Sequence, residues 1–193
     1  MRYLLQFVML TFSFLTYSCG TQLKSAPINK QTGLITDQKG NSKLAAVIKS
    51  EKIEIQKYKN MIFVANGGEF AVQQTKELNF FDLVLNTEQL EKRILENNLQ
   101  SKIYSLKTGQ DLHDLSKYEK PFLVLYFKKN DFVKSSHLHE PYLQMVVSDP
   151  LTFQDVFVAQ VPLNIWTGNV NDQNTRYPLF NAFYAWIYSN KNN

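Results

Sequence analysis

The sequence predicts an α/β (α+β) domain built on a single mixed sheet with packed helices, in the order β-α-β-α-(α)-β-β-β-α. Three observations predict it. In the first half, β-rich apolar runs alternate with segments of helical period, the pattern of strand–helix–strand crossovers. In the second half, two strand-like runs follow another with no helix between them, which calls for antiparallel pairing. The closing stretch repeats large apolar residues at intervals of three and four, the spacing of a helix laid on a sheet.

Residues 53–57 alternate apolar and polar, and Met61-Ile62-Phe63-Val64-Ala65 is a compact apolar run. Together they predict a first strand region, broken by Asn66-Gly67-Gly68. Residues 69–79 fit a helix with Ala71, Val72, Thr75 and Leu78 on one side, while a strand through Phe70-Ala71-Val72 also fits. Phe81-Asp82-Leu83-Val84-Leu85 reads as the second strand. Asn86 or Thr87 then caps a helix in which Asn86 and Gln89 have capping-box spacing. Leu90, Ile94 and Leu95 form its apolar stripe. Residues 110–118 suit a short helix with Leu112 and Leu115 inward, stopped by Pro121. Phe122-Leu123-Val124-Leu125-Tyr126-Phe127 has no polar alternation, as a central strand covered on both faces requires. Residues 142–147 and 156–161 form a hairpin around the Asp149-Pro150 turn. Pro178 is placed to open the last helix, which carries Leu179, Phe180, Phe183, Tyr184, Ile187 and Tyr188.

The amino-terminal residues carry a different signal. Met1-Arg2 is followed by an apolar run from Leu4 to Leu15, then Thr16-Tyr17-Ser18-Cys19-Gly20. A charged start, a short apolar middle and small residues before a cut define a secretory signal. The run falls short of the ~20 residues a spanning helix needs. With the chain's only Cys directly after the cut, this start is similar to a bacterial lipoprotein signal. Thr16 and Tyr17 depart from that signal's usual Leu and small residues, whereas Ser18 and Cys19 fit it. The alternative is an ordinary signal peptide that leaves Cys19 as a free thiol. The resemblance implies acylation of Cys19 with palmitate-type chains, attachment to the membrane and, with Gly20 rather than Asp next, delivery to the outer membrane. The expected organisation is a signal peptide over 1–18, a flexible tether over 19–44 and one domain over 45–193. A tether of that length, with sparse apolar residues, spans roughly 25–30 Å on average.

The motif Phe81-Asp82-Leu83-Val84-Leu85-Asn86-Thr87-Glu88-Gln89-Leu90-Glu91-Lys92 resembles the strand and capped helix of envelope lipoproteins related to the TolB amino-terminal, CsgG and LpoB-type domains. Residues 145–152, running into Val156-Phe157-Val158-Ala159, are similar to their late hairpin, except that Phe153 stands where a Gly usually follows the turn Thr. The resemblance implies a periplasmic α/β domain.

Composition narrows the function classes. The formal charge is +4, with both signs spread along the chain, unlike the clustered basic footprint of a nucleic-acid binder. With one Cys, an intramolecular disulfide is impossible, so 14 Phe and 10 Tyr must supply the core. His137 and His139 alternate as same-face residues of a strand would and form a candidate metal pair, with His113, Asp131 or Glu140 in support; a polar loop is the alternative. Trp166, Asn169, Asn171, Asp172 and Tyr177 form a candidate ligand loop, since an indole stacks on a sugar while amides read its hydroxyls; a Trp that plugs the core edge is the alternative. Gly67-Gly68-Glu69-Phe70 partly matches the diguanylate cyclase signature but is one acidic residue short. No nucleophile elbow or phosphate loop occurs. The expectation is a lipid-anchored, periplasm-facing, non-enzymatic binding or assembly factor. It has an envelope-protein partner, no nucleic-acid partner and no cofactor. A glycan or small-ligand binder is the first alternative, and a metal-dependent hydrolase the second.

Overall fold

The computed structural model describes residues 23–35, 45–133, 139–163 and 173–191. Their elements are β1 (Ala46–Ser50), a 3-10 turn (Ile55–Tyr58), β2 (Met61–Val64), α1 (Gly68–Glu77), β3 (Leu83–Leu85), α2 (Thr87–Glu96), α3 (Gly109–Ser116), β4 (Leu123–Val133), β5 (His139–Asp149), β6 (Gln154–Pro162) and α4 (Gln173–Lys191). They form one mixed sheet of six strands in the order β1-β6-β5-β4-β2-β3. β3, β2 and β4 are parallel. β4, β5, β6 and β1 continue as antiparallel neighbours. The α+β class and the roughly stated order of elements are those the sequence predicts.

The unbroken apolar run in β4 is explained by its position between two cores. Leu123, Leu125 and Phe127 point to a face covered by α1 and α4. Phe122 and Val124 join Met61, Phe63, Leu90, Ile94 and Leu115 on the opposite face, under α2 and α3. The two crossovers therefore lie on opposite faces: the chain leaves β2 through α1, and returns from β3 through α2 and α3 to the other side of β2.

Local chemistry sets the helix starts. Asn86 accepts from the Gln89 N–H and Gln89 reaches back to the Asn86 N–H, completing the capping box at α2. Thr108 and Asp111 make the same reciprocal pair at α3. At α1, Gly67 has φ 99° and Gly68 φ 68°, the left-handed region that favours glycine. A Cβ on Gly67 would sit 2.8 Å from both the Ala71 Cβ and the Phe127 ring.

Three expectations are corrected. Residues 53–57 do not continue a strand: Ile55 and Tyr58 are the buried pair, three apart, which is the 3-10 repeat rather than the strand repeat of two. An additional strand, β1, precedes it and pairs with β6 at the sheet edge. Its Val47 and Ile48 face solvent, so no burial pattern marks it. Pro178 lies inside α4 rather than at its start, because Thr175, Arg176 and Tyr177 are already helical and buried ahead of it. The cost is the one backbone bond that a proline cannot donate.

Residues 23–35 fall within the stretch expected as a tether, and they pack on α1 and α4. Ala26 is clasped by the fully buried Gln74, whose Oε1 accepts the Ala26 N–H (2.8 Å) and whose Nε2 donates to the Ala26 carbonyl (2.9 Å). The Tyr177 hydroxyl donates to the Lys24 carbonyl (3.0 Å), and Asn181 Oδ1 accepts the Ile35 N–H (2.8 Å).

Gly67→Ala combines the strained φ with overpacking against Phe127, so it should lower the unfolding free energy by about 2–4 kcal/mol. Thermal denaturation followed by circular dichroism measures this, with Gly68→Ala, whose Cβ would meet open space, as the milder comparison.

Candidate ligand cleft

The expected site residues divide into placed and unplaced. Cys19, His137, Trp166, Asn169, Asn171 and Asp172 lie outside the described residues. His139 begins β5, its backbone opposite Val133. Tyr177 is buried in α4, with its hydroxyl committed to Lys24 and its ring centroid 6.1 Å from that of Phe70. Among the described residues, no group of three or more His, Cys, Asp or Glu is placed to hold a metal ion.

The structure assembles a different site. On the sheet face that carries α2 and α3, beside the amino-terminal end of α3, is a cleft of about 470 Å³. Its floor is the sheet: Val124 and Tyr126 of β4, Ser148 of β5 and Asp155 of β6. Leu106, Lys107, Thr108 and Leu112 form one wall. Asp149, Pro150 and Phe153 at the β5–β6 turn line the cleft as well, with Phe153 against α3. Ala65 and Asn66 close the end where the chain leaves β2.

Two devices hold this geometry. Asn66 extends the sheet by one rung with its side chain: Oδ1 accepts the Phe127 N–H (2.7 Å) and Nδ2 donates to the Phe127 carbonyl (3.0 Å). It thereby ties β2 to β4 where the two crossovers diverge, the kind of position where open α/β sheets bind ligands. The second device is Asp149, buried at the end of β5. Its Oδ2 accepts from the Tyr58 hydroxyl (2.9 Å) and the Thr152 hydroxyl (3.2 Å), and its Oδ1 from the Leu151 N–H (2.9 Å). Burial first, and then the Asp149 carboxylate, hold the Tyr58 phenol far above its ordinary pKa, so it remains a donor.

The turn that Asp149 organises delivers Phe153 in the left-handed region, at φ 57°. The half-exposed ring stacks on His113 of α3, with centroids 4.5 Å apart and planes at 23°. His113 Nδ1 lies 3.0 Å from the Pro150 carbonyl, which identifies Nδ1 as the protonated nitrogen. Thus a ring and an imidazole bridge the hairpin to α3 and fix one wall. A bulky residue kept in a sparsely allowed conformation is a pointer to function.

On the floor, the Tyr126 hydroxyl is 3.4 Å from Asp155 Oδ1. Burial, and then the Asp155 carboxylate, raise the Tyr126 pKa. The cleft is therefore lined by the Asp155 carboxylate and the Tyr126 phenol together with apolar Val124, Leu106 and Leu112. Such a lining can offer hydrogen bonds and apolar contact.

A second cleft of about 580 Å³ opens at the amino ends of β2 and β3, with Asp82, Arg93 and Glu119 in its wall. Its strongest charges are already paired: Arg93 Nε and one terminal nitrogen each donate to a Glu119 oxygen at 2.9 Å. Such a bidentate pair is a strong structural tie, and the burial and geometry favour the first cleft as the site.

No protein-family model, characterised protein or solved structure matches this chain. Among the described residues, no helix is long and apolar enough to cross a membrane.

Sequence reasoning missed Asn66 and Tyr126, which read as a turn residue and part of a central strand, and did not single out Asp155. The one available signal was Phe153 in a turn position that favours glycine. Tyr58→Phe removes a hydrogen bond from the buried Asp149 and should cost about 1–3 kcal/mol in urea unfolding. It should also raise amide exchange at residues 149–153 more than elsewhere.

Proposed function

We propose that this chain is a lipid-anchored, periplasm-facing protein of the outer membrane that acts as a non-enzymatic binding and assembly factor of the cell envelope. The address rests on the signal-like start and on Cys19 directly after its expected cut. The binding role rests on one observation: the cleft between α3 and the β5–β6 turn, whose wall is Phe153 held at positive φ. Its polar groups hydrogen-bond, and its volume lies in the range of about 300–1,000 Å³ that suits small ligands or one inserted side chain. The edge strand β1 is the less suitable docking surface. It has five residues, a register shift between Val47 and Lys49, and the Lys49 charge, all of which blunt an edge against strand addition.

Labelled palmitate should enter the wild-type protein in cells and should not enter Cys19→Ser, which should move from the outer-membrane fraction to the soluble periplasm. A soluble wild-type protein overturns the address. For the binding role, photo-reactive benzoylphenylalanine at position 153 should give a discrete adduct with one envelope protein. The same group at the exposed Leu95 on α2 should give none. Equal capture at both positions, or none at 153, overturns it.

The cleft volume favours a second reading, a glycan ligand, with the cleft as its seat. Soluble peptidoglycan fragments should then raise the melting temperature of the wild type and leave Phe153→Gly unmoved. Glycine accepts φ 57° freely. The strain released and the stack lost are each about 1 kcal/mol, so the variant remains folded.

A further inference from the structure

We infer that the domain sits directly on the bilayer, with the surface around Lys24 and the first turn of α1 turned to the lipid headgroups. This rests on the anchorage at Cys19 proposed above. What it adds is the distance and the orientation, and both come from the docked strand of chain at residues 23–35.

Leu23 follows Cys19 by four positions. A fully extended chain covers at most about 14 Å in that interval. From Leu23 onward the chain is already part of the domain. The Leu23 side chain packs on the first core, and the Lys24 carbonyl accepts from Tyr177. Both backbone groups of Ala26 are paired with Gln74. Ile28 bridges Ile35 in an antiparallel contact, and Ile35 is held by Asn181. Gln74 is fully buried, and its Nε2 also contacts the Tyr184 hydroxyl at 2.8 Å, so its amide is a built receptor for this strap rather than a surface contact. Undocking leaves buried polar atoms without partners, which is costly.

The leash is thus shorter than the roughly 25–30 Å coil that composition alone implies. It is comparable with one headgroup layer, about 5–8 Å thick, plus a few ångströms of slack. The Tyr177 ring lies 6.1 Å from that of Phe70, which places the strap's origin beside the first turn of α1, where Glu69 is exposed. Lys24 and Lys30 are exposed on the strap itself and suit an anionic headgroup surface. The strap and α4 pack on one sheet face, whereas Phe153 and Asp155 belong to the cleft on the other.

The test uses the full-length acylated protein in vesicles of phosphatidylethanolamine and phosphatidylglycerol that carry a headgroup-linked quencher. Acylation removes the Cys19 thiol, so a dye can be placed on Glu69→Cys or on Leu95→Cys alone. The expected result is several-fold stronger quenching at position 69 than at 95. A Gly/Ser insertion of about ten residues between Gly20 and Thr21 adds roughly 17 Å of reach. It should reduce quenching at 69 to the level at 95 without moving the melting temperature. Gln74→Leu should do the same by releasing Ala26, and the insertion keeps the test valid if that variant folds poorly. Flotation of the protein with the vesicles but equal quenching at 69 and 95, or no response to the insertion, overturns the short leash alone. Failure to float overturns the anchor and the leash together.

Discussion

The rest of the structure depends on the packing of α4 across the first sheet face. Leu179, Phe180, Phe183, Tyr184, Trp186 and Ile187 are all buried there. Trp186 and Phe183 stack near Phe157 of β6, with centroids 5.2 and 6.2 Å from it. Burial of each such side chain contributes about 1.5–3 kcal/mol before conformational entropy is counted. A chain with one cysteine has no covalent staple, so this apolar contact must carry the stability that a disulfide supplies in many secreted domains.

The same helix also organises the amino-terminal chain through its polar atoms. The Trp186 Nε1–H donates to the Glu51 carbonyl, and Asn190 Oδ1 accepts the Ile53 N–H. Asn181 and Tyr177 hold Ile35 and Lys24. These groups recur along one helix and meet chain that would otherwise have too few apolar residues to order itself. Near the start of α4, the Arg176 guanidinium lies 4.0 Å from the centre of the Phe127 ring, and burial draws its pKa down to about 10. The face opposite α4 has a different character. There α2 and α3 cover the parallel half of the sheet, and the cleft lies at the border where their cover ends.

That border explains how a cleft arises without any catalytic motif. Asp149 has a structural role: its oxygens are occupied by Tyr58, Leu151 and Thr152, and they shape a turn that aims Phe153 at His113. Asp155, six residues later, lines the cleft with the Tyr126 hydroxyl 3.4 Å from its Oδ1. Two carboxylates on one hairpin thus differ in surroundings: Asp149 is taken up by the turn, and Asp155 lies beside Tyr126 in the cleft. Both line the same cleft, and they differ in their partners rather than in residue type.

Sequence alone determined the class of fold, because burial on a sheet writes a period into the chain. The run from Phe122 to Phe127 demanded two covered faces, and Asn86 with Gln89 announced a helix start. The closing aromatic repeat marked α4. Local rules of this kind need no knowledge of distant partners. The exposed edge strand β1 left no such trace, and the alternation over residues 53–57 hid the spacing of three between the buried Ile55 and Tyr58. Only the tertiary structure decided what the polar residues do. Gln74, Asn66, Asp149 and Asn181 act on backbone 48, 61, 2 and 146 positions away. Three of these separations are long range, and even the short one depends on a turn that Tyr58 completes from 91 positions away. A hydrogen bond is recognisable only when both ends are in place. The cleft and the docked strap, built from such bonds, were therefore settled by folding and not by pattern.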